Sequence, residues 1–383
     1  MSKKLLLALA ALFIFSASSA HAATWKPATP EDYTSITWAK APGIASYFKA
    51  PTGSGNLDFI TRIYLPQNQI QFIASEKPPL DWGMANASFV VNMPTEFSTP
   101  SGTPTTSTES QEPVGTVTSI TPTTNGPTGG INEFHNFAFP RFVSESSKTL
   151  AKGAKFIWNA PFFNITLATS DLSMAIKTTE SGKTLISSGS RPPFDMAAER
   201  RMLLINNRTG KANIQAFDAD IFVGNASGDV ALESFAPDVG KSDGAGTARL
   251  FVGVMPSKQE IVIYCSQSAT VGEASRALTA AGVPVENQLQ ADGGGSASCG
   301  YNLPGQYFVE PGRTLPLMMG AFTMLGRGNP TTNGLNVRGG AGTTFKIVRK
   351  LNKTDVVTIL EEKGTWYRIG EDEWVSKSLI KKI

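Results

Sequence analysis

The chain has 383 residues, with 34 Lys and Arg against 31 Asp and Glu, which gives a formal net charge of +3. A balance this close to neutral is not the electrostatic footprint of a nucleic-acid-binding protein. The length is sufficient for a large core and for two or three domains. No uninterrupted apolar stretch reaches the roughly 18 residues that a membrane-spanning helix needs.

The N-terminus has the pattern of a secretory signal peptide. Two lysines precede an apolar run at 5–15, and the sequence AHA at 20–22 fits the cleavage pattern. We therefore predict an exported protein, periplasmic or secreted, whose mature chain begins near Ala23. Removing residues 1–22 takes away two lysines and no acid, which leaves 32 basic against 31 acidic groups.

Cysteine and histidine are scarce, and this restricts the chemistry. Cys265 and Cys299 are the only cysteines, an even count that predicts one disulfide in an oxidising compartment, with two buried thiols as the alternative. After the signal, His135 is the only histidine, so neither a multi-histidine nor a four-cysteine zinc site can form. A Ser-His-Asp triad would have to use His135. Hydrolytic chemistry must therefore come from Asn, Asp, Glu and Arg.

In the first part of the mature chain, short strands are predicted around a polar insertion. Residues 23–56 are rich in Pro, Gly and aromatics, which indicates irregular structure with short strands. Residues 59–74 predict two strands that meet at a turn at 66–69, and 86–93 is a further short apolar run. Ser, Thr, Pro and Gly dominate from about 98 to 130. No core can be built from that composition, so we predict a flexible insertion within the main domain.

The following part mixes helices and strands. A helix is predicted over 144–155, and a buried strand follows it and breaks at a proline. Residues 247–254 and 260–265 predict an antiparallel pair, and 271–281 predicts a helix that ends at Gly282. Further strands are predicted at 202–206, 212–217, 219–223 and 284–291.

Residues 333–383 form a separate predicted unit. Several short β-like runs at close spacing predict a small barrel, and the segment holds ten Lys and Arg against six Asp and Glu. The whole chain is thus predicted as α+β. Its main domain, 23–325, combines helices with mixed, largely antiparallel sheets, and the C-terminal unit is an SH3-like β-barrel.

Four segments, in order along 130–320, resemble the phosphodiester glycosidase family. They are N-A-P-F-F at 159–163, T-A-R-L-F-V-G-V at 247–254, G-E-A at 272–274 followed by Leu278, and D-G-G-G-S at 292–296. The family has an N-G-G-F-F turn, an arginine strand, an E-x-A-x-x-L helix and a strand ending in D-G-G-G-S. Ala160 and Pro161 replace two of the family's glycines. The resemblance implies a hydrolase that cleaves the bond between a sugar and the phosphate of a phosphodiester, in envelope or extracellular polysaccharide.

The C-terminal unit is similar to bacterial SH3 domains. The sequences L-N-V-R at 335–338, W-Y-R at 366–368 and W-V-S at 374–376 match elements of that family. The resemblance implies binding of peptidoglycan or other wall material. Such binding would hold the main domain near the wall polymer.

The D-G-G-G-S segment is the main candidate for a ligand site. Gly293, Gly294 and Gly295 let the backbone approach a ligand and adopt positive φ, and their amides can cradle an anion. Ser296 adds a hydroxyl group. Asp292, at the end of a strand, can act as a carboxylate or ligate a cation. A tight structural turn is the alternative.

Arginines are the candidates for phosphate binding. Hydrolysis of a glycosyl phosphodiester requires the phosphate to be neutralised while positive charge develops on the sugar. Arg249 suits this catalytic role, because its planar fork can hold two phosphate oxygens. A structural ion pair on the sheet is the alternative for Arg249. Arg191 and Arg313 are further candidates for phosphate contact.

Asp292 and Glu273 are the candidate catalytic carboxylates. Glu273 could instead support the loop, or stabilise the first turn of its helix through the macrodipole. Asn159 could bind the sugar, orient Asp292 or cap a turn.

The residues alone leave three other interpretations open, namely a serine hydrolase, a divalent cation site and a non-catalytic binding protein. A serine hydrolase is disfavoured because the sequence around Ser296 lacks the last glycine of a G-x-S-x-G elbow. A divalent cation could bind Asp292 and loop carbonyls, although no ligand spacing requires one. A non-catalytic envelope glycan-binding protein that keeps the glycosidase fold is the main alternative to the enzyme.

Overall fold

A computed structural model describes most of the chain after the predicted signal. The described residues are 25–49, 57–74, 133–135, 138–149, 153–160, 162–163, 169–171, 174, 176–180, 183–187, 199–224, 229–238, 246–301, 307–309, 312–370 and 372–383. The predicted signal peptide, the apolar run at 86–93, the insertion at 98–130 and Arg191 lie outside them. Within these ranges, no helix combines the length and the apolar character needed to cross a membrane.

The main unit is built mostly of strands. Its α-helices are α1 (Phe139–Thr149), α2 (Ala219–Val223) and α3 (Val271–Ala280). Its strands are β1 (Thr34–Ala41), β2 (Ile44–Lys49), β3 (Asp58–Tyr64), β4 (Asn68–Ala74), β5 (Glu133–His135), β6 (Phe156–Asn159), β7 (Thr169–Asp171), β8 (Ile176–Glu180), β9 (Lys183–Ser187), β10 (Arg200–Asn206), β11 (Lys211–Ala216), β12 (Val230–Phe235), β13 (Thr247–Met255), β14 (Glu260–Ala269), β15 (Gln288–Gly293), β16 (Cys299–Tyr301), β17 (Tyr307–Val309) and β18 (Leu317–Thr323).

Two antiparallel sheets face each other in the main unit. The larger sheet has the order β1-β2-β3-β14-β13-β15-β12-β10-β11, with β8 and β9 attached through β12. The smaller sheet has the order β17-β16-β6-β18-β4. Apolar side chains of both sheets, among them Leu250, Ile263, Trp158 and Met319, pack into one core. The prediction of largely antiparallel sheets with helices is confirmed, although strands dominate.

The outer face of the larger sheet is covered by α3. Phe251 and Tyr264 point to this face and pack with Leu278 of the helix. The predicted pair of strands is confirmed as β13 and β14, and the predicted helix as α3. Gly282, with φ of +89°, lies just past the end of α3, as the sequence predicts.

Three sequence predictions for the main unit are corrected. The strand predicted at 219–223 is the short helix α2, because the Asp218 side chain accepts from the Ile221 amide at 2.9 Å and caps the turn. The helix predicted at 144–155 begins at Phe139 and ends at Thr149, since Phe139 supplies part of its buried face. The strands predicted within 59–74 are β3 and β4, but they lie in different sheets, so their junction is a corner and not a hairpin.

The C-terminal unit consists of β19 (Gly326–Pro330), β20 (Leu335–Arg338), β21 (Ile347–Leu351), β22 (Val357–Ile359), β23 (Glu361–Lys363), β24 (Trp366–Gly370), β25 (Glu373–Ser376) and β26 (Ile380–Lys382). They form a sheet of order β22-β19-β26 and a sheet of order β21-β20-β25-β24-β23 around a shared apolar core. The described strands therefore make two sheets packed on one core, without a closed ring of paired strands among them. The sequence also did not predict β19 or β26 as strands.

Arg327 of β19 connects the C-terminal unit to the main unit. Its Nε donates to the carbonyl of Asn207 at 2.7 Å, and its Nη2 donates to the carbonyl of Leu65 at 2.9 Å. Burial lowers the pKa of Arg327 to about 10. Because β19 pairs with β22 and β26, removing residues 333–383 would strip this connecting strand of its partners.

A disulfide joins the two sheets of the main unit. Cys265 of β14 is bonded to Cys299 of β16, which confirms the predicted pair. Their Cα atoms are 6.5 Å apart, within the usual range for disulfides. The bond closes a segment with a sequence separation of 34 and so restricts the unfolded chain.

Replacing both cysteines by alanine should lower the free energy of unfolding by about 3–4 kcal/mol, because the unfolded chain regains its loop entropy. Denaturant unfolding of the two proteins measures the difference. Dithiothreitol should destabilise the wild type and leave the Cys265→Ala/Cys299→Ala variant unaffected. Equal stability of wild type and variant under oxidising conditions would contradict the expectation.

Candidate functional site

A β-bulge in β15 turns the side chain of Asp292 towards the smaller sheet. Leu250 of β13 pairs with Asp292, whereas the next residue, Phe251, pairs with Gln290, so Ala291 is an extra residue in β15. Leu250 and Ala291 both point into the core between the sheets. Residues directly opposite each other in an antiparallel pair share a face, so Asp292 is turned to this side as well. Bulges of this kind often redirect a side chain next to a functional site.

Asn159, at the end of β6, meets this carboxylate from the smaller sheet. Its Nδ2 donates to Oδ2 of Asp292 and, at 3.0 Å, to the carbonyl of Ser296. Oδ1 of Asp292 accepts from the Gly293 amide at 2.6 Å. Asn159 is 0% exposed and Asp292 is 4% exposed. One amide side chain thus fixes both the carboxylate and the end of the glycine segment.

Buried polar atoms without a partner are concentrated beside this contact. Seven buried side-chain polar atoms of the described residues have no hydrogen-bond partner. Three of them belong to neighbouring positions on β6 and its partner segment: Nε1 of Trp158, Oδ1 of Asn159 and Oγ of Ser298. Leaving such atoms unpaired in the interior is costly, so this part of the core is less well satisfied than its surroundings.

The segment Gly293–Ser296, called here the glycine loop, continues from Asp292. Gly294 to Ser296 form one turn of 3-10 helix. Gly294 has φ of +70°, and apart from its chain neighbours no atom of the described part of the chain lies within 4 Å of the position that a Cβ would take. A glycine is therefore required there by conformation, while the space beside it is open.

Two guanidinium groups pack against the glycine loop from different sides. A Cβ on Gly293 would lie 3.0 Å from Nη1 of Arg249, and a Cβ on Gly295 would lie 2.9 Å from Nη2 of Arg313. Arg249 is buried, and its Nε donates to the carbonyl of Ala269 at 3.2 Å. Arg313 is exposed. Glycines at 293 and 295 thus let two cations approach the backbone.

Arg249 and Asp292 reach the glycine loop from opposite faces of the larger sheet. Arg249 precedes Leu250, and successive side chains of a strand point to opposite faces. Arg249 therefore leaves β13 on the side of α3, whereas Asp292 points towards the smaller sheet. Both side chains therefore lie next to the glycine loop, each on its own face of the sheet.

Glu273 has the contacts of a helix cap. Its Oε2 accepts from the Thr270 amide at 2.7 Å, and the Thr270 hydroxyl accepts from the Glu273 amide, which completes a capping box. The hydrogen bonds from Thr270 lower the pKa of Glu273 below its ordinary value. Its side chain is exposed, and its catalytic role stays a prediction.

The structure thus brings together a subset of the predicted site residues. Asn159, Asp292 and the glycine loop with Ser296 are linked directly, and Arg249 is added at Gly293. Arg313 lies outside the D-G-G-G-S motif, so no sequence pattern predicts that it lies at Gly295. The Gly312 amide, which donates to the Gly295 carbonyl at 2.8 Å, brings it there. Across the described ranges, no group of three or more His, Cys, Asp or Glu is arranged to hold a metal ion.

Two solved structures are similar to the chain. The catalytic domain of zebrafish N-acetylglucosamine-1-phosphodiester alpha-N-acetylglucosaminidase, auto-inhibited by its pro-peptide, is 10% identical with a TM-score of 0.42, over 77% of this chain and 94% of that one. A hypothetical protein from Synechocystis is 12% identical with a TM-score of 0.33, over 77% of this chain and 64% of that one. TM-scores this low assign neither fold nor activity.

No curated protein sequence matches the chain. Residues 333–381 match the family model of the bacterial SH3 domain. The chain therefore carries a bacterial SH3 domain at its C-terminus.

Proposed function

We propose that the main unit is an exported hydrolase that cleaves the glycosyl–phosphate bond of a sugar phosphodiester in envelope or extracellular polysaccharide. The observation that carries the proposal is the double contact of Asn159 with Asp292 and the Ser296 carbonyl, across two sheets. The sequence resemblance to phosphodiester glycosidases lies in the same segments. A disulfide together with a bacterial SH3 domain supports a location outside the cytoplasm.

In the proposed reaction, water replaces the phosphate at the anomeric carbon. The bond between that carbon and the phosphate oxygen breaks and a new bond to the water oxygen forms. One proton of the water passes to the released phosphate, so the products are a free sugar and a phosphomonoester. Phosphate is a weakly basic leaving group, so protonation of it matters less than stabilisation of charge. The Asp292 carboxylate, oriented by Asn159, would face the positive charge that develops on the sugar ring.

The other predicted residues take supporting roles in this proposal. Arg249 adds positive charge next to Gly293, which favours an anion at the glycine loop. Ser296 fixes the loop to Asn159 through its carbonyl. Glu273 holds the start of α3 through Thr270. Arg191, outside the described residues, remains a candidate for phosphate contact.

Replacing Asp292 by Asn should lower kcat for a chromogenic glycosyl phosphodiester by about 10²–10⁴-fold, because the carboxylate charge is lost while its shape is kept. Release of free sugar from UDP-N-acetylglucosamine gives a second readout. Asp218→Asn, the same chemical change at the cap of α2, is the matched control and should leave the rate unchanged.

Two results would speak against the enzyme. Turnover by Asp292→Asn at the wild-type rate would remove the carboxylate from the mechanism. A wild-type protein that binds envelope glycan but releases no sugar from any tested phosphodiester would support the alternative, a non-catalytic glycan-binding protein.

We further propose that the C-terminal unit binds peptidoglycan and holds the hydrolase at the wall. The match to the bacterial SH3 domain supports this partner. The unit also exposes three apolar side chains close together in sequence, with Phe345 and Ile347 each 49% exposed and Val348 42% exposed. Arg338 lies beside them and donates to the Phe345 carbonyl at 2.8 Å.

Phe345→Ser combined with Ile347→Ser should weaken binding to purified sacculi by about fivefold or more, as expected when anchor residues of an interface are truncated. Co-sedimentation measures the bound fraction. Ile221→Ser, at an exposed apolar residue of the main unit, is the matched control. Point variants are preferable to deletion of the unit, because deletion would unpair β19. Unchanged sedimentation of the double variant would refute this surface.

A further inference from the structure

Arg313 is held in place on the glycine loop. The Gly312 amide donates to the Gly295 carbonyl at 2.8 Å, which ties the two segments together one residue before Arg313. Both Nε and Nη2 of Arg313 lie close to the Gly295 backbone, at 3.1 and 2.9 Å from the position of an added Cβ. Because these two nitrogens lie closer to that position than Cζ, at 3.5 Å, the Nε–Nη2 edge of the guanidinium faces the loop, and a side chain at 295 would displace it.

The charge of Arg313 is not used within the described part of the chain. No described carboxylate forms an ion pair with it, whereas Arg200, Arg201, Arg208, Arg349 and Arg368 are all paired. The residue is exposed, so its side chain is accessible to a solute in solution. A positioned guanidinium with free donors is suited to bind an anion through two parallel hydrogen bonds.

The two guanidinium groups approach the glycines on either side of Gly294. Arg249 lies at Gly293 and Arg313 at Gly295, and among the described residues no atom beyond the chain neighbours of the intervening Gly294 lies within 4 Å of its Cβ position. Arg249 is 3% exposed, so it contributes charge from beneath the surface. Arg313 is the group that can contact a ligand arriving from solvent.

We infer that Arg313 binds the phosphate of the substrate at Gly294 and thereby selects phosphodiesters over neutral glycosides. The inference rests on the proposed function and adds a specificity-determining residue to it. It also assigns different roles to the two arginines. Arg249 supplies buried positive charge beside Gly293, and Arg313 contacts the phosphate directly. The ligand chemistry is a phosphate with two accessible non-bridging oxygens.

Binding of inorganic phosphate to the full chain, followed by isothermal titration calorimetry, tests this assignment without turnover. Arg313→Ala should raise the Kd by about tenfold or more, since charge-assisted hydrogen bonds are lost, and Arg313→Lys should restore part of the affinity. Arg208→Ala removes another exposed arginine and is the matched control; its Kd should equal that of the wild type. Thermal unfolding verifies that the variants are folded.

Steady-state kinetics then separates specificity from catalysis. Arg313→Ala should raise KM for a phosphodiester more than it lowers kcat, and it should leave the slow cleavage of a neutral aryl glycoside unchanged. A folded Arg313→Ala variant with wild-type phosphate affinity would overturn the inference, even if the wild type proves to be a phosphodiesterase of the proposed kind. Absence of phosphate binding by the wild type would overturn it too.

Discussion

The candidate site depends on one buried amide that spans two sheets. Burying a carboxylate without partners is strongly unfavourable, and Asp292 is almost fully enclosed. Asn159 offsets that cost by donating to Asp292, and the same amide nitrogen reaches the Ser296 carbonyl at 3.0 Å. The glycine loop therefore cannot move away from the carboxylate without losing a hydrogen bond in the core.

The surrounding fold keeps Asn159 and Asp292 in register. Leu250 pairs with both Asp292 and Cys265, so the disulfide begins one strand away from the Asp292 pairing. The other half of the disulfide, Cys299, pairs with Trp158, the neighbour of Asn159. The disulfide and the Asn159–Asp292 contact therefore join the two sheets at neighbouring positions along their strands. The bulge at Ala291 turns Asp292 towards this junction, and a regular strand would point it at α3 instead.

Elements with a local sequence signal were predictable, whereas elements whose conformation depends on tertiary contacts were not. The alternation in β13 and β14 and the glycine after α3 identify these elements directly. Two cysteines leave a single choice of pairing, so the disulfide was predictable. Residues 219–223 were predicted as a strand, but the cap formed by Asp218 stabilises the helix α2 there. β19 was missed because a strand of only five residues shows no clear periodic pattern. The glycine loop was found from its sequence, whereas the position of Arg313 follows from a backbone hydrogen bond between distant segments. The position of Glu273 in a family motif suggested a catalytic role, but its hydrogen bonds in the structure are those of a helix cap.

A crystal structure of the Asp292→Asn variant with UDP-N-acetylglucosamine bound would show directly whether the substrate occupies the site at Asp292 and the glycine loop. This variant keeps the shape of the site and slows cleavage, so an intact ligand can accumulate. We expect the anomeric carbon of the sugar to lie next to residue 292 and a phosphate to lie at Gly294, within hydrogen-bond distance of Arg313. A ligand bound elsewhere on the main unit, with the glycine loop unoccupied at saturating concentration, would contradict this expectation.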